Sequence, residues 1–454
     1  VKFAQFERRS LLPVPTAEAF AWHEREGALE RLTPPWEKVE LVERSGGIRP
    51  GGRVVMRVPM VPAGTTIWEA EHDLYEPPFR FRDFSKRGPF AHWVHTHSFQ
   101  PMGDDACELV DSVEYALPLG ALGALFGSGL VESRLARMFA YRHRITVNDL
   151  AEHALHRGPR LRVVVTGASG LVGNTLAAFL RLGGHEVVAL RRSPSPASAL
   201  GWEWDFAGIG DAPIDAVVHL AAENIGDTRW DEASKKRFRD SRELATRALA
   251  ENLAARAQKP AVFVSASAVG YYGNRGDAVL DESSARGEGF LAELCEAWEA
   301  ATAPAEAAGI RVVKARLGVV LTPAGGALAK VLPAARAGLA GPLGGGTPWL
   351  SWIGMDDAVY ALYRAIWDER LRGPLNVVAP EAVTTATYAK AVGKAVGMPF
   401  QMPVPSFALR AAVGEMADEV LLASQRVTPQ RLGEVDFAWS YGTLDKALGH
   451  LLGA

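Results

Sequence analysis

Three glycines in the spacing Gly167-x-x-Gly170-x-x-Gly173 lie between an apolar run, Leu161 to Thr166, and a stretch of helical character, Asn174 to Leu182. The chemistry of that pattern is anion binding. Gly167 lets the chain turn tightly, Gly170 lets the backbone approach a pyrophosphate, and Gly173 lets a helix pack on the strand. Free N–H groups over Ser169, Gly170, Leu171, Val172 and Gly173 then face the anion at the start of the helix. A second apolar run, His185 to Leu190, follows about 20 residues on and ends in Arg191-Arg192. A site selective for NAD would place an acid there to grip the ribose hydroxyls. Two guanidinium groups suit a 2′-phosphate instead, so the expected cofactor is NADP(H), with Arg191 and Arg192 as the clamp.

These residues need a scaffold, and the chain is long enough for one. It has 454 residues, which at roughly 150 residues per domain argues for two or three domains. With 48% hydrophobic and 22% charged residues it has the composition of a globular protein. Its formal net charge of −3 lacks the basic excess that nucleic-acid binding requires, so no nucleic-acid partner is expected. Cys107 and Cys295 are the only cysteines; they form no disulfide framework or zinc motif, and fit a reducing compartment. The opening VKFAQFERRSLLPVP lacks the apolar stretch of a signal peptide, and no apolar run of about 20 residues follows, so a cytoplasmic protein without membrane attachment is expected.

A domain boundary is expected in His153 to Arg160. Upstream, period-2 alternation predicts strands at Val54 to Val58, Ile67 to Tyr75, Phe79 to Phe84, Phe90 to Phe99 and Cys107 to Tyr115. In the last of these Cys107, Leu109, Val113 and Tyr115 share one face, interrupted only by Asp111. Leu130, Val131, Leu135, Met138 and Phe139 then recur at helical spacing. A sheet wrapped round a long helix would bury both. Residues 1–155 resemble by this pattern the START-like (SRPBCC) domains, with Phe3 to Arg8 and Pro15 to Trp22 as first strand and helix. The resemblance implies an α+β helix-grip fold with a cavity for a hydrophobic ligand; a packed domain serving only contact is the alternative. His95 and His97 share a strand face, but no third ligand is evident and no metal is expected.

Beyond residue 160 the strands are continuous Val/Leu/Ile runs, as in a parallel sheet buried on both faces. They are expected at Leu161 to Thr166, Glu186 to Leu190, Trp202 to Trp204, Ala216 to Leu220, Ala261 to Ser265, Arg311 to Leu317 and Leu375 to Val378. With Trp204-Asp-Phe206, His219-Leu-Ala-Ala222 and Val264-Ser-Ala-Ser-Ala-Val-Gly-Tyr-Tyr-Gly273 in order, residues 160–454 resemble the extended short-chain dehydrogenase/reductases of the sugar-nucleotide epimerase-like branch. Arg229-Trp230, Ser241-Arg242, Trp298-Glu299 and Gln425-Arg426 resemble an atypical "epimerase family" subgroup within it. The implied fold is α/β, a Rossmann doubly wound parallel sheet with a small C-terminal substrate lobe from about residue 375. The resemblance places Asp205 against adenine and Leu220, Ala221 and Ala222 along the cofactor, and has Asp356-Asp357 cap a helix.

The departures bear on function. Redox-active members carry a Tyr-x-x-x-Lys pair for proton exchange on the helix after the fifth strand. Here that stretch is Phe290 to Glu299, with neither residue, and the asparagine of the preceding helix is replaced near Ser241-Arg242. Ser267 matches the superfamily's catalytic Ser/Thr, and Tyr271 or Tyr272 could act as acid with its help; the alternative is that the two rings pack under the cofactor or line the pocket. Cys295 is expected to be a buried structural thiol with no activating cation nearby, and Glu293, Glu296 and Glu299 to form a solvated face. The expected function is an NADP(H)-dependent oxidoreductase or epimerase-like enzyme on a small-molecule substrate, supplied from the N-terminal cavity. The alternative is a non-catalytic NADP(H) sensor.

Overall fold

The computed structural model describes residues 3–60, 64–118, 120–196, 198, 200–210 and 212–454, the side chains of 120–128 excepted. Two compact units divide the chain: one of residues up to Pro159 with Ala178–Gly184, the other of Arg160–Ala177 and His185–Leu452.

The first unit holds β1 (Ala4–Leu12), α1 (Thr16–Glu24), α2 (Ala28–Leu32), β2 (Glu40–Ser45), β3 (Arg53–Pro59), β4 (Thr65–Glu76), β5 (Arg80–Arg87), β6 (His92–Pro101), β7 (Cys107–Ala116) and α3 (Gly120–Leu155). Its seven strands form one antiparallel sheet in the order β1-β7-β6-β5-β4-β3-β2. Alternation sets the buried face: Trp93, His95, His97 and Phe99 of β6 and Leu109, Asp111, Val113 and Tyr115 of β7 all point inward. From α3, Leu135 and Phe139 pack on Trp93, Val113 and Tyr115, with Val131 and Met138 at the margin. Leu130 of the predicted stripe is exposed instead. Strand β2 was not predicted. All of its residues are exposed, so it has no apolar period to read; it is held to β3 by cross-strand pairs, Arg57 opposite Glu40 at 2.5 Å and Arg53 with Glu43 at 3.2 Å.

The second unit begins with β8 (Arg162–Thr166), α4 (Leu171–Leu182), β9 (Glu186–Leu190), β10 (Arg192–Pro194), β11 (Trp202–Trp204), β12 (Ala216–His219), α5 (Glu232–Asp240), α6 (Glu243–Ala255), β13 (Val262–Ala268), β14 (Val279–Leu280), α7 (Phe290–Ala300) and, after a short helix, β15 (Arg311–Leu317). The central sheet has six parallel strands in the order Gly373–Val377, β15, β13, β12, β8, β9. Val163, Val164, Val165, Val217, Val218, Phe263 and Val264 are fully buried, as expected of strands covered on both faces. The predicted strand Trp202 to Trp204 lies outside this sheet and pairs antiparallel with β10. Gly373–Val377 is the sheet's edge strand, and one apolar cluster joins Leu321, Leu328, Leu332 and Trp352 to Val392, Tyr441 and Leu448, from both sides of it in the chain. Asp356 and Asp357 do not cap their helix, whose N-cap Gly354 has no side-chain cap. Asp356 meets His450 at 2.8 Å and Asp357 accepts the amides of Ser440 and Tyr441. No helix of the described residues is long and apolar enough to cross a membrane.

Candidate functional site

The glycine turn sits between the C-terminal ends of β8 and β12. Gly167 takes φ +69°, and a Cβ there would lie 2.8 Å from the Ala221 nitrogen. A Cβ on Gly173 would lie 2.1 Å from the Gly167 carbonyl. Both positions are therefore glycine because of the protein's own packing. Gly170 is different. It is exposed, its φ is unexceptional, and an added Cβ would meet only the Gly167 carbonyl at 3.1 Å. Its openness fits a ligand's close approach. Ser169 beside it is also exposed. The Asn174 amide closes onto the Gly170 carbonyl at 2.8 Å, so the amides of Leu171, Val172 and Gly173 fall in the first turn of α4, where N–H groups lack intrahelical acceptors.

A buried network holds the two strand ends. His219 is fully buried between the hydroxyls of Thr166 (2.6 Å) and Thr246 (2.9 Å), and Thr166 Oγ1 also accepts the Leu220 and Ala221 amides. Burial lowers the His219 imidazole to about 3, so it is neutral and fixes backbone position. Sequence reasoning missed Thr166 and Thr246, whose hydroxyls carry no motif. Leu220, Ala221 and Ala222 thus line the rim beside the turn. Arg191 and Arg192 are exposed, with no acid partner among the described residues; Arg192 lies over the Trp202 ring at 5.1 Å. The Asp205 carboxylate accepts the Gly208 amide at 2.9 Å. It therefore braces the turn in which it sits.

At the end of β13 stands a second cluster. Ser267 donates to Glu299 at 2.8 Å, and Arg316 of β15 grips the same carboxylate bidentately at 2.7 and 2.8 Å. Arg316 also donates to the Tyr272 hydroxyl at 2.9 Å, which in turn donates to Asn376 at 2.7 Å. Burial works against the Arg316 charge, but its bonds to Glu299 outweigh burial and raise its pKa. Tyr272 is pushed up to about 12, chiefly by burial. Glu299 is thus a correction: it is a buried ion-pair partner, not part of a solvated face. Glu296, on the same helix, reaches Arg286 at 3.0 Å near the surface.

Of the three predicted catalytic hydroxyls, those of Ser267 and Tyr272 are committed to protein partners. Tyr271, half-buried, has no hydrogen-bond partner for its hydroxyl among the described residues, and its ring lies against the Arg316 guanidinium at 3.5 Å. Cys295 is buried, and burial pushes its thiol up to about 12. A cation is nonetheless near: Arg242, itself buried with no carboxylate partner among the described residues, lies over the Trp298 ring at 5.0 Å. Burial lowers its pKa to about 10. Sequence reasoning noted Arg242 beside a replaced asparagine and within the Ser241-Arg242 match; its burial, with bonds to the Phe238 carbonyl at 3.3 Å and the Ser241 hydroxyl at 3.4 Å, follows from packing.

Known proteins match the part of the chain that carries this glycine turn, these basic residues and this Ser/Tyr cluster. The model of the NAD dependent epimerase/dehydratase family matches residues 163–377. An epimerase family protein of Mycobacterium bovis is 44% identical over 294 residues, 63% of this chain and 96% of that protein. The chain belongs to this epimerase family. A second model, a domain of unknown function (DUF1731), matches residues 404–451. The crystal structure of a nucleoside-diphosphate sugar epimerase from Corynebacterium glutamicum superposes with a TM-score of 0.79 at 35% identity, covering 99% of this chain and 90% of that one. That of the human epimerase family protein SDR39U1 (isoform 2), solved with NADPH, gives 0.59 at 34% identity over 64% of this epimerase-family chain and 99% of the human one.

Proposed function

We propose that the second unit binds NADP(H) and that the protein is an NADP(H)-dependent oxidoreductase or epimerase-like enzyme acting on a small anionic molecule. The observation that carries the reading is Arg191 and Arg192, exposed at the end of β9 with no acid partner among the described residues, beside a turn whose middle glycine is exposed. The NADPH in the human relative's structure supports it. Bound there, the cofactor would supply hydride exchange. The protein's part is to hold the phosphates on the α4 amides, to pair the 2′-phosphate with the two arginines, and to lay Leu220 to Ala222 along the cofactor. Asp205 keeps one carboxylate oxygen, Oδ2, for the adenine end.

For proton transfer we assign Tyr271, the hydroxyl left available. Ser267 and Tyr272 hold Glu299 and Arg316 in place behind it. The buried Arg242, which has no carboxylate partner among the described residues, suits a carboxylate or phosphate of the substrate. A second reading, a non-catalytic NADP(H) sensor, draws on the commitment of Ser267 and Tyr272 to protein partners. The first unit, residues 1–155, we read as a START-like helix-grip domain for a hydrophobic ligand; its seven-stranded antiparallel sheet and 36-residue helix support that.

The test is calorimetric. Wild type should bind NADPH at least tenfold more tightly than NADH, and Arg191→Ala with Arg192→Ala should abolish the difference, about 1.4 kcal/mol or more. Equal binding of both coenzymes by wild type would refute the clamp. Tyr271→Phe then separates the two readings: an enzyme loses turnover, whereas a sensor keeps its cofactor response.

A further inference from the structure

On the inner face of the first unit's sheet, polar side chains gather around Asp111 among apolar ones. His95 and His97 on β6 point inward two residues apart, and Asp111 on β7 lies directly opposite His97 in the register. His95 Nε2, His97 Nδ1 and a carboxylate oxygen of Asp111 lie within 4.8 Å of one another, and all three residues are at most 5% exposed. This supplies the third ligand that sequence reading did not find: the polar interruption on the inner face of β7.

The contacts among the three are poor hydrogen bonds. His97 Nδ1 stands 2.6 Å and His95 Nε2 3.4 Å from Asp111 Oδ1. Yet none of these three atoms is aligned for a hydrogen bond with any protein group. Three buried, convergent donor atoms left unsatisfied normally cost a fold free energy. A cation among them removes the cost. The surroundings have the form of an outer ligand shell: His95 turns its other nitrogen toward Asp83 at 3.4 Å, and the second Asp111 oxygen accepts from His143 of α3 at 3.0 Å, whose far nitrogen meets Ser10 at 2.9 Å.

We propose that the first unit binds one divalent metal ion of the zinc class through His95 Nε2, His97 Nδ1 and Asp111 Oδ1. Two imidazoles and a carboxylate suit such an ion, and tetrahedral ligation at about 2.1 Å spaces donor atoms by roughly 3.4 Å, the spacing His95 Nε2 already has from Asp111 Oδ1, while the His97–Asp111 separation has to open. Three protein ligands leave one position open. Through Asp111 and His143 the ion would also tie the sheet to α3.

The experiment uses the full chain, stripped by chelator and titrated with cobalt(II) as an optical probe, then with zinc(II) as competitor. Wild type should take up about one cobalt per chain with visible d–d absorption, lost on zinc addition, while Asp111→Asn and His97→Gln lose the band and His143→Gln binds about tenfold more weakly. Far-UV circular dichroism checks that each variant is folded. Stripped wild type that shows no d–d band, or a band that survives in a folded Asp111→Asn chain, overturns the proposal. Should Asp111→Asn not fold, the wild-type titration decides alone.

Discussion

Replacing Glu299 by alanine removes the acceptor of three hydrogen bonds at once, from Ser267 at 2.8 Å and from Arg316 at 2.7 and 2.8 Å. The side chains of Arg316 and Glu299 are 2% and 9% exposed, so water cannot take the carboxylate's place. Two unit charges about 4 Å apart at an effective dielectric of about 20 attract by roughly 4 kcal/mol. Breaking a buried pair by deleting one partner costs about 3–5 kcal/mol, because the remaining charge stays buried. Glu299→Ala should therefore destabilise the sheet around β13 and β15 by that amount. Glu299→Gln, which keeps an acceptor but not the charge, should cost about half as much. Glu299→Leu combined with Arg316→Met removes both charges and should lie closer to wild type than Glu299→Ala, short by about 2 kcal/mol for the bonds Ser267 and Tyr272 lose. With two units in the chain a single unfolding free energy is ill-defined, so the readout is hydrogen exchange at the amides of β13 and β15, which reports local opening. Glu299→Ala within about 1 kcal/mol of wild type, or a double substitution as costly as the sum of the singles, would refute the account.

Gly173→Ala should prevent folding of the turn, since its Cβ would lie 2.1 Å from a backbone carbonyl, whereas Gly170→Ala should cost less than about 1 kcal/mol and still weaken NADPH binding at least tenfold; thermal melting and calorimetry on the same samples separate the two. His219 gives a pH dependence. Its folded pKa of about 3 lies below the ordinary 6.5, so the unfolded chain takes the proton first, and stability present above about pH 6.5 is lost as pH falls toward the folded value. That loss should reach about 1 kcal/mol near pH 5.5, and His219→Gln should flatten it in β8 and β12 exchange measured across that range. Tyr272→Phe should destabilise by about 1–3 kcal/mol, because Arg316 and Asn376 both lose a buried partner, while Tyr271→Phe should leave the melting temperature unchanged and act on turnover alone.

What could be read from the residues, and what could not, divides by the range of the interaction. The parallel strands were legible because a strand buried on both faces must be a continuous apolar run, and Val163 to Val165 and Val217 to Val218 are that. Strand β2 was not, because its stability comes from arginines across the ladder in β3 and none of it is buried. The glycine turn could be recognised by spacing, but not why each glycine is there: Gly167 and Gly173 answer to backbone atoms of the same turn and of the next strand, and only Gly170 is left for a ligand to explain. The same limit misjudged Glu299. Its helical neighbours Glu293 and Glu296 suggested one solvated stripe, yet the side chain faces β15, where an arginine 17 residues further along the chain waits for it. Asp111 is the complementary case. It stood out as the one polar residue on an apolar strand face, and what it met there could be known only once β6 was laid beside β7 in register. A polar residue breaking an apolar period, as Asp111 does, is thus the local trace of a long-range contact, whereas Glu299 continued a charged stripe and left no such trace, though each sits at the centre of a buried network.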